Sequence, residues 1–165
     1  MIFKAKKHYS DLYTTLLQLS RNLFFYNKIN LKDTFETRIY LMFIHFSIML
    51  IVYKKKKLAF PQSQYDDLFH CIENNLRELG FGDVSVNKKM KDLNKIFYDI
   101  LLKINISTND FKINEKLIYK YFVEIENSDN KKYEKFDLYF TNFYHFCFEI
   151  NPEIMIKETL KFEIK

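Results

Sequence analysis

Two places in the chain set a histidine close to a cysteine, His70 beside Cys71 and His145 two residues before Cys147, the side-chain types that a metal or haem site would use. On a helix, adjacent residues point about 100° apart and residues two apart about 200°, so neither pair converges on one point. The chain has only two cysteines, without CxxC or other ligand spacing, which indicates neither a disulfide framework nor a zinc module and makes a reducing compartment the natural reading. No nucleophile with its base, no paired acids and no metal triad emerges from local spacing. The expectation is a non-enzyme, with no catalytic residues, no metal and no cofactor, that acts by binding.

Residues suited to binding are easier to find. The only two glycines, Gly80 and Gly82, share the loop Gly80-Phe81-Gly82-Asp83. Without a GxxxxGK pattern or a preceding strand, a phosphate cradle is not supported. Gly80 instead suits the left-handed residue that ends a helix, and Gly82 a tight reversal into the next one. Arg77, Glu78 and Asp83 could lock that loop by salt bridges and capping, or meet a partner. Lysines form two rows, Lys54 to Lys57 and Lys88, Lys89, Lys91 and Lys95. Such rows are either solvated helix faces or contacts for ribosomal RNA, anionic lipid or acidic loops of another protein. His45 lies within an apolar run, where a lone histidine is usually hydrogen-bonded in the core.

The elements that must position these residues read as all-α, because apolar spacings of three and four dominate and no alternating strand is found. About six helices in one domain spanning 1–165 are expected. The first begins near Ser10, carries Leu12, Leu16, Leu19 and Leu23 on one stripe, and fades at Tyr26-Asn27-Lys28. Asp33 followed by Glu36 has the pattern of an N-terminal cap for a second helix holding the apolar run Ile39 to Tyr53. That run spans about 22 Å, short of the roughly 30 Å hydrocarbon core, so a buried central helix is expected rather than a transmembrane one. Phe60-Pro61 breaks the pattern before a third helix with Tyr65, Leu68, Phe69, Ile72, Leu76 and Leu79 inward. A fourth turns Val86, Met90, Leu93, Phe97, Ile100 and Ile104 inward. Leu117, Ile118, Tyr121, Phe122 and Ile125 mark a fifth, and Phe136 to Ile150 a sixth, with Asn151-Pro152 starting a last short one.

At 165 residues a single domain buries roughly 70% of its unfolded surface, enough for a core without staples. The abundance of Lys, Asn, Ile, Phe and Tyr resembles the codon bias of an AT-rich genome, so charge placement says more than the net +5. No apolar run of signal length follows the basic start, and a cytoplasmic protein is expected.

Taken as a unit, Gln62 to Tyr98 resembles the signature region of the ubiquinol-cytochrome c chaperone family. That family carries Leu-Arg-Glu-Met-Gly-Val-Gly-Asp, then a basic helix, then Phe-Tyr. Here Leu76, Arg77, Glu78, Gly80, Gly82 and Asp83 keep their places, Lys88, Lys89 and Lys91 stand in the lysine cluster, and Phe97-Tyr98 in the aromatic pair. An upstream block agrees: Asp33-Thr34, then Arg38, then Leu41 to His45, in the same order. The resemblance runs from about 25 to 99. Asn87 and Asp99 replace family glycines.

The resemblance implies a helical assembly chaperone that binds newly made cytochrome b during biogenesis of respiratory complex III, with the ribosome as a possible second partner and no role for DNA. It implies partner-binding roles for Asp33, Arg38, His45, Arg77, Glu78, Gly80, Gly82, Asp83, Lys88, Lys89, Lys91, Phe97 and Tyr98. The expected location is then the cytoplasm or the cytoplasmic face of the inner membrane, on the matrix side in a mitochondrion. Peripheral membrane attachment would run through the first helix or the run Ile39 to Tyr53. Without the resemblance, the two lysine rows read as a basic helical module for ribosome or RNA.

Overall fold

The computed structural model describes residues 10–127 and 130–164, and all their regular structure is helical apart from one isolated bridge between Asn105 and Ile113. In chain order the helices are α1 (Asp11–Ser20), α2 (Leu23–Asn27), α3 (Phe35–Lys55), α4 (Gln62–Glu78), α5 (Asp83–Lys103), α6 (Glu115–Tyr121), α7 (Val123–Glu126), α8 (Asn130–Glu149) and α9 (Met155–Glu158). Single 3₁₀ turns, Pro152–Ile154 and Thr159–Lys161, flank α9. The all-α reading holds, but there are more segments than the six expected, for local reasons.

The first expected helix is two, because the Asn22 side chain accepts from the Phe24 amide at 3.0 Å and starts α2 afresh. That break lets Phe25 enter the core with no exposed surface. The fifth is also two: Phe122 leaves helical geometry at φ −130, ψ 80, and its ring packs on Tyr40 and Phe136. At α3 the cap is Thr34, whose Oγ1 accepts from the Thr37 amide at 3.2 Å. Asp33, expected in that role, instead accepts from Arg38 Nε at 2.8 Å.

Helix α3 is the axis of the molecule, and α1, α5 and α8 pack directly against it while α4 leans on α1 and α5. It runs 21 residues, about 31 Å at 1.5 Å per residue, so it is longer than the apolar run suggested and by length and composition alone could cross a membrane. What makes it a core helix is enclosure: Leu41 to Met49 are buried without interruption.

His45 sits within that buried stretch with 0% exposure. Its Nδ1 lies 2.7 Å from the Leu41 carbonyl oxygen and its Nε2 2.8 Å from the Tyr139 hydroxyl on α8. A carbonyl can only accept, so Nδ1 carries the proton and Nε2 accepts from the Tyr139 O–H. The rings of Phe25, Phe140 and Phe143 surround the imidazole at centroid distances between 4.8 and 5.9 Å. Burial in this aromatic shell pushes the His45 pKa down to about 3, against the smaller opposing effect of the Leu41 carbonyl.

A histidine held neutral when folded takes its proton first in the unfolded chain. The stability it confers is complete above pH 6.5 and declines as pH falls through 6.5 toward 3, by at most about 1.4 kcal/mol per pH unit. Urea unfolding of the wild type is expected to show this loss between pH 6.5 and 4.5. His45→Leu is expected to be less stable at pH 7.5, since the Tyr139 hydroxyl loses its acceptor, but to have a flatter profile in the same window. Equal slopes for both proteins would place the titrating group elsewhere.

Candidate functional site

The corner between α4 and α5 is built by backbone and charge together. Gly80 has φ +96, a left-handed conformation that side-chain-bearing residues rarely adopt, and it lets the Phe81 amide turn back to the Leu76 carbonyl at 3.4 Å. Arg77 donates to Glu73 at 3.1 Å and to Asp83, so one guanidinium ties the last turn of α4 to the first turn of α5. Gly82 differs from the expectation of a special reversal. Its φ of −74 and ψ of 167 are extended values open to any residue, and a Cβ there would meet nothing within 4 Å.

The beginning of α3 lies at the same end of the bundle. Phe35, its first residue, is half-buried and separates two clefts. The larger, about 370 Å³, lies between α1, α3 and α4, with Leu17, Met42 and Leu79 among its apolar lining and Arg21 and Arg38 among its cations. Asn75 donates to the Tyr13 hydroxyl at 2.7 Å, joining α4 to α1 in its wall. The smaller, about 230 Å³, lies between α3, α4 and α5, with Tyr40, Leu76, Leu93 and Ile96 meeting Lys89 and Asp92. Leu79 is 56% exposed, and Phe81 is partly covered by the Lys89 ammonium 4.5 Å from its ring centroid.

The candidates read from the sequence separate into three groups. Asp33, Arg38, Arg77, Glu78, Gly80, Gly82, Asp83 and Lys89 belong to these adjoining ends of α3, α4 and α5. Lys88 and Lys91 are exposed along α5, and Tyr98 lies further along it with its hydroxyl 3.3 Å from that of Tyr65. Phe97 and His45 are wholly buried, Phe97 between Phe43, Phe46 and Phe69, and both His45 nitrogens already have partners. Phe35, Leu17, Arg21 and Leu79 were not singled out, because each looks like an ordinary helix residue until the three helices meet.

The row Lys54 to Lys57 is not a free comb of cations. Lys55 stands over the Tyr144 ring at 5.0 Å, and Lys56 donates to the Ile150 carbonyl at 2.8 Å and stands over Phe148. His70 and His145 point to separate carboxylates, Glu73 at 3.9 Å and Asp110 at 3.5 Å. Among the described residues no three histidine, cysteine or acidic side chains gather where they could hold a metal ion.

A sequence model described as ubiquinol-cytochrome C chaperone matches residues 27–118, the greater part of the chain, from the end of α2 into α6. The chain belongs to that family. No match was found among curated proteins or among solved structures. For this member of the ubiquinol-cytochrome C chaperone family, the matched residues contain the α4–α5 corner, the start of α3 and all of the smaller cleft. The α1 wall of the larger cleft, with Tyr13, Leu17 and Arg21, lies outside the match.

The two departures from the family pattern have different settings. Asn87 is exposed on α5. Asp99 accepts from Lys103 at 2.5 Å, from Lys120 at 2.7 Å and from the Tyr121 hydroxyl, so it joins α5 to α6, and these donors hold its carboxyl well below the usual carboxylate range.

The corner's two glycines are expected to respond differently to alanine. Gly80→Ala forces a left-handed alanine and is expected to cost about 1–2 kcal/mol. Gly82→Ala is expected to change stability by no more than about 0.5 kcal/mol. Chemical unfolding of both variants measures the difference, and equal losses would contradict the assigned backbone roles.

Proposed function

We propose that this protein is an assembly chaperone of the ubiquinol-cytochrome c oxidoreductase, respiratory complex III, and that it holds newly made cytochrome b until partner subunits arrive. The observation that supports this reading is that the family match holds the α4–α5 corner, the start of α3 and the smaller cleft beside Phe35, with α1 adding a wall to the larger cleft from outside the match. A chaperone needs apolar surface that its own core leaves unused, and Phe35 and Leu79 supply it. Each cleft has the size of one or two side chains, suited to apolar anchors from a client segment. In the larger cleft Arg21, with Arg38 paired to Asp33, favours a carboxylate beside the anchor, whereas in the smaller cleft Glu36 and Asp92 offset Lys89.

The Arg77 bridge and the Gly80 turn give the site a fixed shape before the client arrives, which lowers the ordering cost of binding. Chemistry has no place in this cycle: the client leaves when a subunit with more apolar contact displaces the chaperone. The client being a membrane protein, the work takes place beside the inner membrane, within reach of ribosomes that make cytochrome b.

Loss of the gene is expected to lower cytochrome b and quinol-cytochrome c reductase activity together, and unchanged levels of both would overturn the reading. Leu79→Asp, at an exposed position, places a carboxylate at the rim of the larger cleft. It is expected to reduce the cytochrome b that copurifies by at least about five-fold while leaving the thermal midpoint near that of the wild type.

A further inference from the structure

Helix α5 has an outer face that the fold uses only at Tyr98, whose hydroxyl meets that of Tyr65 on α4. At about 100° per residue, Val84, Lys88, Lys91, Lys95, Tyr98 and Leu102 fall within an arc of about 80°. All six are exposed, Val84 at 85% and Leu102 at 78%, while Val86, Leu93, Phe97 and Ile100 on the other side are buried. Among the described residues, Lys88, Lys91 and Lys95 make no ion pair. Of the three acids of α5, Asp83 is held by Arg77 and Asp99 by Lys103 and Lys120, which leaves Asp92 on that helix to offset the lysines. The neighbouring α4 exposes the opposite sign, with Asp66, Asp67 and Glu78 on its surface.

The stripe is therefore a rod about 27 Å long, aliphatic at one end, tyrosine and leucine at the other, with three cations at intervals of about one turn between them. Its complement is flat, anionic and able to accept aliphatic groups. A nucleic acid would reward the lysines but not two aliphatic side chains about four-fifths exposed; a phospholipid interface rewards both, since lysine stems lie along apolar surface while their ammonium groups reach phosphates. Of the segments expected from the sequence to attach to a membrane, the first helix and Ile39 to Tyr53, most apolar side chains lie in the core, with Leu23 exposed. The α5 face stays open and joins exposed aliphatic groups to unpaired cations.

We infer that the outer face of α5 docks flat on an anionic bilayer surface, with Lys88, Lys91 and Lys95 on headgroup phosphates and Val84, Tyr98 and Leu102 at the headgroup boundary. This docking stands apart from the client reading, since it requires no protein partner.

Cosedimentation of the full chain with phosphatidylcholine vesicles, with and without phosphatidylglycerol, tests it. The wild type is expected to bind only the anionic vesicles. With each lysine contributing about 1 kcal/mol near such a surface, replacing Lys88, Lys91 and Lys95 together by Gln is expected to weaken partitioning on the order of 100-fold. Val84→Ser with Leu102→Ser is expected to weaken vesicle binding several-fold without changing binding to a short RNA duplex. All these positions are exposed, and a circular dichroism melt checks that each variant folds. Absence of anionic-vesicle binding by the wild type, unchanged binding by the lysine variant, or RNA binding that alone depends on the lysines would overturn the inference.

Discussion

From Leu41 to Met49, every residue of α3 is buried, so this helix has no side that can face water, and the rest of the chain is arranged to enclose it. Helices α1, α5 and α8 cover it directly. Phe43 and Phe46 meet Phe69 and Phe97 from α4 and α5 on one flank; His45 meets Phe140, Phe143 and Tyr139 from α8 on another. A polar side chain inside such a helix needs a partner on a neighbouring element, and the His45–Tyr139 bond supplies it, fixing how α8 sits against α3. The Ser47 hydroxyl, also buried, has no hydrogen-bond partner among the described residues.

Enclosure ends where α3 ends. At its C-terminus, Lys55 and Lys56 stand over aromatic rings of α8 and Lys56 donates to the carbonyl of Ile150, while a cleft of about 400 Å³ opens between α3 and α5 beside Ile51 and Leu101. At its N-terminus, Thr34 and the Asp33–Arg38 pair satisfy the helix locally, but α1, α4 and α5 diverge around Phe35 and leave clefts on both sides of it. The axial helix is thus enclosed along its middle and flanked by clefts at both ends. The α4–α5 corner holds the walls of the N-terminal clefts in place through one arginine and one left-handed glycine.

Much of this was legible in the residues. Helices α4 and α5 follow the apolar period closely except at Leu79, expected inward but 56% exposed because α4 ends before it; Gly80 announced that end, and the lone histidine of the apolar run lies in the core with both nitrogens bonded. The breaks at Asn22 and Phe122 were not legible, because the apolar spacing continues through both; one is a side-chain cap and the other a ring drawn into the core. The cap of α3 was read one residue early, since Asp33 and Thr34 are both good caps and only the competing Arg38 decides between them. The clefts were invisible because Leu17, Phe35 and Leu79 belong to three helices, and no local spacing brings them together. Lys54 to Lys57 and Lys88 to Lys95 look alike as strings of cations, yet part of the first row is docked on α8 while three lysines of the second face solvent unpaired.

Capture of the tagged protein from its native cells in mild detergent, followed by mass spectrometry, bears most directly on the claim that the Phe35 end of the bundle holds immature cytochrome b. The expected result is cytochrome b recovered without the later subunits of complex III, with crosslinks to it from residues beside Phe35 and Leu79 and none from the α8 surface around Leu138. Recovery of ribosomes or RNA without cytochrome b, or crosslinks to it that map to the α8 surface, would contradict the account.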